Sequence, residues 1–250
     1  MPEVSIITPC YNSAHFLNDT IKSVLNQAFT DWEWLITDDC STDESVAVLE
    51  NIGDHRIIIT RAKENGGAGR ARNTSLKLAK GKYITFLDAD DYWEPAFLKE
   101  MVNFMKENGA ELAYCSYARC DENLSPAIAD FKADQLITFN NLLKTCRLSL
   151  LSSMYDSSRV GKEFFPEGSK REDHVMWLNL LKKIPEGKPL TKTLAKYRMH
   201  SESISRKKSS IMKDQYLVYK EHMNFSTVKS MYYTMNWAFN GFRKYSKLFN

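Results

Sequence analysis

The first 118 residues alternate between two hydrophobic periods, and that alternation restricts the fold more than any other feature of the chain. Val4-Ser5-Ile6-Ile7-Thr8 is a β-branched run closed by Pro9. Ala14 to Gln27 follows, with Phe16, Leu17, Ile21, Val24 and Leu25 on one helical stripe. Strands are then expected at 33–37, 56–60, 83–87 and 112–117. Helices are expected from Ser41 or Thr42 (as cap) to about 51, at 68–79 and near 95–107. Strands interleaved with helices imply an α/β fold with a mostly parallel sheet covered on both faces. In such sheets ligands bind beyond the carboxyl ends of the strands.

After Asp121 the alternation lapses until about Gly168. A helix at 172–183, a strand near 193–198 and helices over about 204–222 and 227–249 close the chain. Residues 1–205 read as one domain, with halves 1–118 and 119–205, followed by a helical extension over 206–250. The chain has 250 residues, 43% hydrophobic and 26% charged, enough for a large core and unlike a disordered protein. No apolar run approaches the about 20 residues of a membrane span. Met1 to Ser5 does not read as the start of a secretory signal. Five cysteines without a CxxC pair fit reduced thiols in a cytoplasm better than a disulfide framework or zinc site.

The net charge of +3 gives no reason to expect nucleic acid as a partner, but it is unevenly placed. Residues 201–250 hold 9 basic and 3 acidic side chains, whereas the preceding 200 are net acidic.

Two strand ends carry acids. Asp88-Ala89-Asp90-Asp91 puts three carboxylates after Tyr83–Leu87, where they serve either a hard divalent cation or an acidic turn capping the next helix. Asp38-Asp39-Cys40-Ser41-Thr42-Asp43 offers carboxylates to a nucleobase imide or to ribose hydroxyls, or caps a helix; Ser41 and Asp43 would suffice for the cap. Asn65 to Asn73 is a glycine-rich helix entrance with Arg70 and Arg72, suited to an anion. It matches neither a dinucleotide fingerprint nor a Walker A loop. Glu172-Asp173 opens a helix, where acids favour the dipole and where one carboxylate could also deprotonate a hydroxyl. Arg198-Met199-His200 ends a strand near the basic run Arg206-Lys207-Lys208.

This ordered set, from Val4–Asn12 through Asp38–Asp43, Asn65–Asn73, Asp88–Asp91 and Glu172-Asp173 to Tyr197–His200, resembles the family 2 glycosyltransferases over roughly residues 3–205. The resemblance implies a GT-A fold: a Rossmann-like, mostly parallel central sheet flanked by helices, here with a C-terminal helical appendage. It implies inverting transfer of a hexosyl residue from a nucleotide-diphosphate sugar, a UDP-sugar by preference, with Mn²⁺ or Mg²⁺. By matching position, Pro9 and Tyr11 would line the nucleotide pocket, Asp39 would hold the base, Arg72 would lie near the nucleotide and Asp88 would meet the ribose. Asp90 and Asp91 would bind the cation; the third acid leaves the direct ligand open. Asp173 would be the catalytic base with Glu172 in support. Arg198 and His200 would steady the diphosphate or complete the metal shell.

The likeness to short bacterial members that build O-antigen, capsule or teichuronic acid implies an acceptor saccharide on a polyprenyl diphosphate, at the inner face of the cytoplasmic membrane. Leu150 to Met154, with Ser152 and Ser153, would lie near that acceptor, and Trp93 would stack on a sugar. A sugar-phosphate nucleotidyltransferase and a non-catalytic sugar-nucleotide-binding module are the alternatives. The first lacks its lysine-bearing loop near the first strand. Met231, Met235, Ala238, Phe242, Tyr245 and Phe249 form one stripe in the tail. That stripe either packs on protein, including a second copy in a homo-oligomer, or lies on anionic lipid through residues 225–250.

Overall fold

The computed structural model describes residues 1–200 and 211–246, with side chains up to residue 241. The first half runs β1 (Val4–Cys10), α1 (Ala14–Leu25), β2 (Trp32–Asp38), α2 (Ser45–Glu50), β3 (Ile57–Arg61), α3 (Ala68–Leu78) and β4 (Tyr83–Phe86). Next come β5 (Tyr92–Trp93), α4 (Phe97–Asn108), β6 (Leu112–Cys120), β7 (Pro126–Phe131), α5 (Phe139–Leu142), β8 (Ser153–Asp156) and α6 (Ser157–Val160). The chain continues with α7 (Glu172–Leu181), β9 (Lys188–Arg198), α8 (Ile211–Leu217), a π-helical turn at Val218–His222, and α9 (Thr227–Ser246).

The strands form one sheet in the order β3-β2-β1-β4-β8-β6-β9-β5, with β7 beside β6. β3, β2, β1 and β4 are mutually parallel, as the alternation predicts, and β6 runs parallel to β9. The other pairings, β4 with β8, β8 with β6, β6 with β7 and β5 with β9, are antiparallel. The expectation of a mostly parallel sheet therefore holds for the first half and is corrected for the second, where β8 wedges between β4 and β6. The boundary drawn at residue 118 falls inside β6.

Register explains the double-sided core. Ile6 pairs with Trp34 and Ile7 with Leu35. Ile6 and Trp34 join Leu17 and Met101 in one cluster, while Ile7 and Leu35 join Leu76 and Trp177 in the other. Alternate side chains thus feed opposite faces, so central strands read as continuous apolar runs. α2 begins at Ser45 rather than near Asp43, and neither Ser41 nor Thr42 caps it. The Asp43 carboxylate instead accepts the amides of Ser45 (2.9 Å) and Ala14 (3.0 Å), so it serves the starts of two helices.

The C-terminal helices pack onto the body. Val218, Tyr219 and Met223 belong to the Trp177 cluster. Tyr219 donates its hydroxyl to the Leu143 carbonyl at 2.5 Å, and Gln215 Nε2 meets His174 Nδ1 at 3.1 Å. α9 turns Ser230 and Thr234 inward and leaves Val228, Met231, Tyr232, Met235 and Phe239 exposed on one stripe. The expected start of the penultimate helix, the basic run 206–208 and Phe249 lie outside the described residues; of Phe242 and Tyr245 only the backbone is described.

Candidate active site

The parallel strands end together, and their acids gather there. After β1 and β2 the two loops are cross-tied. Asn12 N donates to Ser41 Oγ (3.0 Å), Thr42 N donates to Asn12 Oδ1 (2.8 Å), and Asp39 N donates to the Cys10 carbonyl (2.8 Å). Asn12 (φ 46°) and Cys40 (φ 67°) take left-handed backbone to make these turns. Asp39 is buried, and its two oxygens accept the amides of Gly66 (2.9 Å) and Gly67 (2.7 Å). Gly67 has φ 85°, a conformation that favours glycine and presents its N–H to the carboxylate. Asp39 also lines a cleft of about 400 Å³ together with Lys63, Arg70 and Thr74. Pro9 is half-buried and Tyr11 exposed at the β1 end.

The β4 end is built from side chains that arrive from far along the chain. Arg72, on α3, is almost wholly buried. It donates to Asp88 Oδ1 at 2.6 Å and to Glu172 Oε1 at 3.0 Å. Burial disfavours its charge, but Asp88, Glu172 and Asp173 outweigh that and hold the guanidinium charged. Glu172 occupies a slot that exists because residue 69 is glycine: a Cβ there would stand 2.1 Å from Glu172 Oε2. Burial raises the Glu172 pKa against the pull of Arg72, with Asp173 and Asp88 adding to the rise. Asp173, the next residue, is half-buried.

Asp90 Oδ2 and His200 Nε2 lie 2.8 Å apart. Burial, then the charge of Asp88, raises Asp90, and His200 opposes the shift. Asp91 is turned inward. Its Oδ1 accepts the Arg198 amide at 2.9 Å and its carbonyl accepts Thr20 Oγ1 at 2.8 Å. Burial and the neighbouring Asp90 and Asp88 push Asp91 well above the ordinary carboxylate range.

Arg198 is 3% exposed and gives its donors to protein: Nε to the Asp90 carbonyl (2.8 Å), Nη1 to the Glu122 carbonyl (2.6 Å) and Nη2 to Asp19 Oδ2 (2.9 Å). It stands as a strut joining β9, the β4–β5 turn and α1. Among the described residues no three His, Cys, Asp or Glu side chains form a closed metal cage. The Asp90–His200 pair still fits a cation of the implied kind. Mg²⁺ commonly takes one or two carboxylates and completes its shell with substrate phosphates.

The structure brings together Asp39, Arg72, Asp88, Asp90, Glu172, Asp173 and His200 around the strand ends. It corrects the acceptor assignments. Trp93 has no exposed surface, stacks on Phe97 at 4.1 Å and donates to the Leu151 carbonyl at 2.8 Å, so neither ring face is open to a sugar. Ser152 and Ser153 are also fully buried. Sequence reasoning missed Gly69 and Asp19. Gly69 stood in a noted glycine run, whereas an acid on α1 carries no local signal.

The model of the family described as Glycosyl transferase family 2 matches residues 5–151. TuaG of Bacillus subtilis (strain 168), named for teichuronic acid biosynthesis, is 34% identical over 97% of both chains. WfgD of Escherichia coli, named a UDP-Glc:alpha-D-GlcNAc-diphosphoundecaprenol beta-1,3-glucosyltransferase, is also 34% identical, over 97% of this chain and 95% of its own. Among solved structures, S. aureus TarS in complex with UDP-GlcNAc superposes with a TM-score of 0.76 at 21% identity, over 95% of this chain and 72% of that one. The mannosyltransferase PcManGT of Pyrobaculum calidifontis, in complex with GDP-Man and Mn²⁺, gives 0.68 at 14% identity, over 93% and 70%. These two likenesses are of fold, and the fold is GT-A as expected.

Proposed function

The chain belongs to glycosyl transferase family 2, and we propose that it moves a hexosyl residue from a UDP-sugar to a hydroxyl of a saccharide carried on a polyprenyl diphosphate. The observation that carries this reading is the Arg72 bridge, which ties Asp88 at the β4 end to Glu172 at the start of α7. It sets Asp173 beside the donor half of the site. WfgD, alike over nearly its whole length, is named for such a donor and acceptor. Membership of the family sets aside the nucleotidyltransferase and the non-catalytic module.

In this reading the cleft at Asp39 takes the uracil, Pro9 and Tyr11 flank it, and Asp88 faces the ribose. Asp90 and His200 hold a divalent cation, with Asp91 bracing the turn behind them. When bound, Mn²⁺ or Mg²⁺ offsets the negative charge of the departing diphosphate. Arg72 keeps its charge beside Asp88 and holds Glu172 in the Gly69 slot, which fixes the first turn of α7. Asp173 accepts the acceptor's hydroxyl proton as the new C1–O bond forms and the C1–O bond to UDP breaks. One displacement inverts the anomeric centre; a retaining route through an enzyme-bound sugar would need a nucleophile at that carbon.

Among the described residues no helix is long and apolar enough to cross a membrane. We assign α9 to peripheral contact with the anionic membrane that holds such acceptors, its exposed stripe turned to the lipid and to the prenyl chain dissolved in it. The test is transfer from UDP-, GDP- and dTDP-sugars to lipid-diphosphate saccharides, followed by mass spectrometry with Mn²⁺ or Mg²⁺. Asp173→Asn is expected to lose about 10³-fold in kcat while UDP binding stays unchanged. Absence of transfer from every donor by folded protein would defeat the reading.

A further inference from the structure

A second cleft, of about 490 Å³, opens beside β7 and α5. Its lining includes Arg119, Lys132, Lys144 and Arg147 against Asp130 and Asp134, and Asn240 of α9 closes one side. We propose that this cleft binds the diphosphate of a prenyl diphosphate, with the prenyl chain laid along the exposed stripe of α9. The proposal rests on the glycosyl-transfer reading and names a subsite for its acceptor.

Charge comes first. Four cations against two carboxylates leave an excess of two positive charges, a match for a diphosphate ester. Lys132 is held by Asp130 at 3.1 Å and Arg147 by Asp134 at 2.7 Å. No such ion pair holds Arg119 or Lys144 among the described residues. Arg147 also has an Nε buried without an acceptor, an arrangement that costs free energy unless a ligand oxygen supplies the bond. Arginine presents several donors in a fixed fork suited to phosphate oxygens.

Position comes second. Arg119 pairs with Tyr197 on the neighbouring strand, three residues before His200, so one wall of the cleft stands beside the strand that leads to the candidate active site. α5, on its other side, is seated on α7. The Leu142 carbonyl lies 3.1 Å from Nε2 of His174, the residue after Asp173. A saccharide with its hydroxyl at Asp173 can therefore trail its diphosphate towards this cleft.

The apolar face comes third. Asn240 Nδ2 holds the Lys144 carbonyl at 3.2 Å, and Asn240 directly follows Phe239. Met231, Met235 and Phe239 are 56%, 70% and 62% exposed on that helix. A contiguous apolar stripe beside a cationic cleft suits a ligand with an anionic head and a hydrocarbon tail.

The experiment is calorimetric titration of the full chain with farnesyl diphosphate and, separately, inorganic pyrophosphate, each with and without saturating UDP and Mn²⁺. Farnesyl diphosphate is expected to bind in the presence of UDP. The double variant R119E/K144E is expected to weaken both ligands about tenfold or more. The neutral pair R119Q/K144Q, expected to weaken both by a smaller factor, serves if charge reversal impairs folding. M231E/M235E is expected to weaken farnesyl diphosphate and leave pyrophosphate unchanged. No binding of farnesyl diphosphate by folded wild type, its displacement by UDP, or affinity indifferent to the Arg119 and Lys144 changes would each overturn the proposal. Transfer to a lipid acceptor with unchanged acceptor KM in R119Q/K144Q would remove the cleft and spare the glycosyl-transfer reading. Binding that behaves as expected in a chain that transfers no sugar would do the reverse.

Discussion

The β2 and β4 ends look alike in sequence, each an apolar strand followed by clustered acids, and they are held in different ways. At the β2 end the Asp39 carboxylate is answered by the backbone amides of Gly66 and Gly67, at the mouth of α3. At the β4 end the acids are answered by side chains, Asp88 from 16 residues away and Asp90 from 110. Arg72 reaches Asp88 and ties it to Glu172, 100 residues on from that arginine, and His200 reaches Asp90 across 110 residues. The first is a backbone clamp made within the first half of the chain, its geometry set once the glycine loop folds. The second joins α3 and the β4 end to α7 and to the residue two past β9, and it forms only when the second half of the chain has packed. Carboxylates answered by fixed amides hold a ligand's shape, whereas carboxylates answered by movable side chains can exchange partners when a ligand arrives.

The sharpest way to break that contrast is Asp90→Asn. If Asp90 faces the cation, transfer with Mn²⁺ or Mg²⁺ should fall by about a hundredfold or more, roughly 3 kcal/mol. The urea midpoint should barely move, because the Asp90 side chain shares its hydrogen bond with His200 in a partly open site. Equal losses of stability and activity would make Asp90 a structural acid like Asp39. The complementary change, Asp39→Asn, should cost about 2 kcal/mol in urea denaturation, because a neutral amide weakens or loses two charge-assisted bonds between a buried carboxylate and backbone amides. UDP affinity should fall with it. Unchanged stability would mean that the Gly66–Gly67 turn holds itself.

The contrast also explains what the sequence made legible. Period-2 and period-3.6 signals are local, so β1 to β4 and their helices could be placed from the hydrophobic pattern alone, and the acids at the strand ends followed. β5, only two residues long, is too short to carry a period; β8 is as short as β4 but reads Ser-Met-Tyr-Asp, with no β-branched run, and five of the six residues of β7 are exposed. Their pairing is decided by neighbours remote in sequence. The same holds inside the site. That Glu172-Asp173 opens a helix was legible; that Glu172 is held by Arg72 and seated over Gly69 was not, since no spacing rule links positions 69, 72 and 172. Trp93 shows the opposite error. The family likeness suggested it as a sugar platform, but its 0% exposure shows the packing against Phe97 prevailed.

Gly69→Ala sharpens the link between the β4 end and α7. In an otherwise unconstrained helix the change should stabilise, since alanine is the better helix former by about 1 kcal/mol. Here the new Cβ would displace the Glu172 carboxylate from its seat. We expect about a tenfold fall in kcat with UDP affinity unchanged. Partial recovery is expected in Gly69→Ala/Glu172→Asp, whose shorter acid leaves room. A higher Tm with unaltered kcat would show that the seat does not position Asp173.

The smallest effect belongs to Asp43, which completes the local side of the comparison. Burial pulls its pKa up, but Ser45 and the Ala14 amide outweigh that, and the net shift is downward. A carboxylate lowered on folding stabilises above its unfolded value, about 4, and loses that contribution as pH falls through the folded value. Asp43 is exposed, so solvent screening keeps the contribution below about 1 kcal/mol. Asp43→Asn should therefore be slightly less stable than wild type in urea at pH 7, and the two curves should converge as pH drops below the aspartate range. A difference that persists at low pH would assign the effect to lost hydrogen-bond geometry instead of charge, making Asp43 a clamp of the same kind as Asp39 but set at the solvent edge, where the same bonds are worth less.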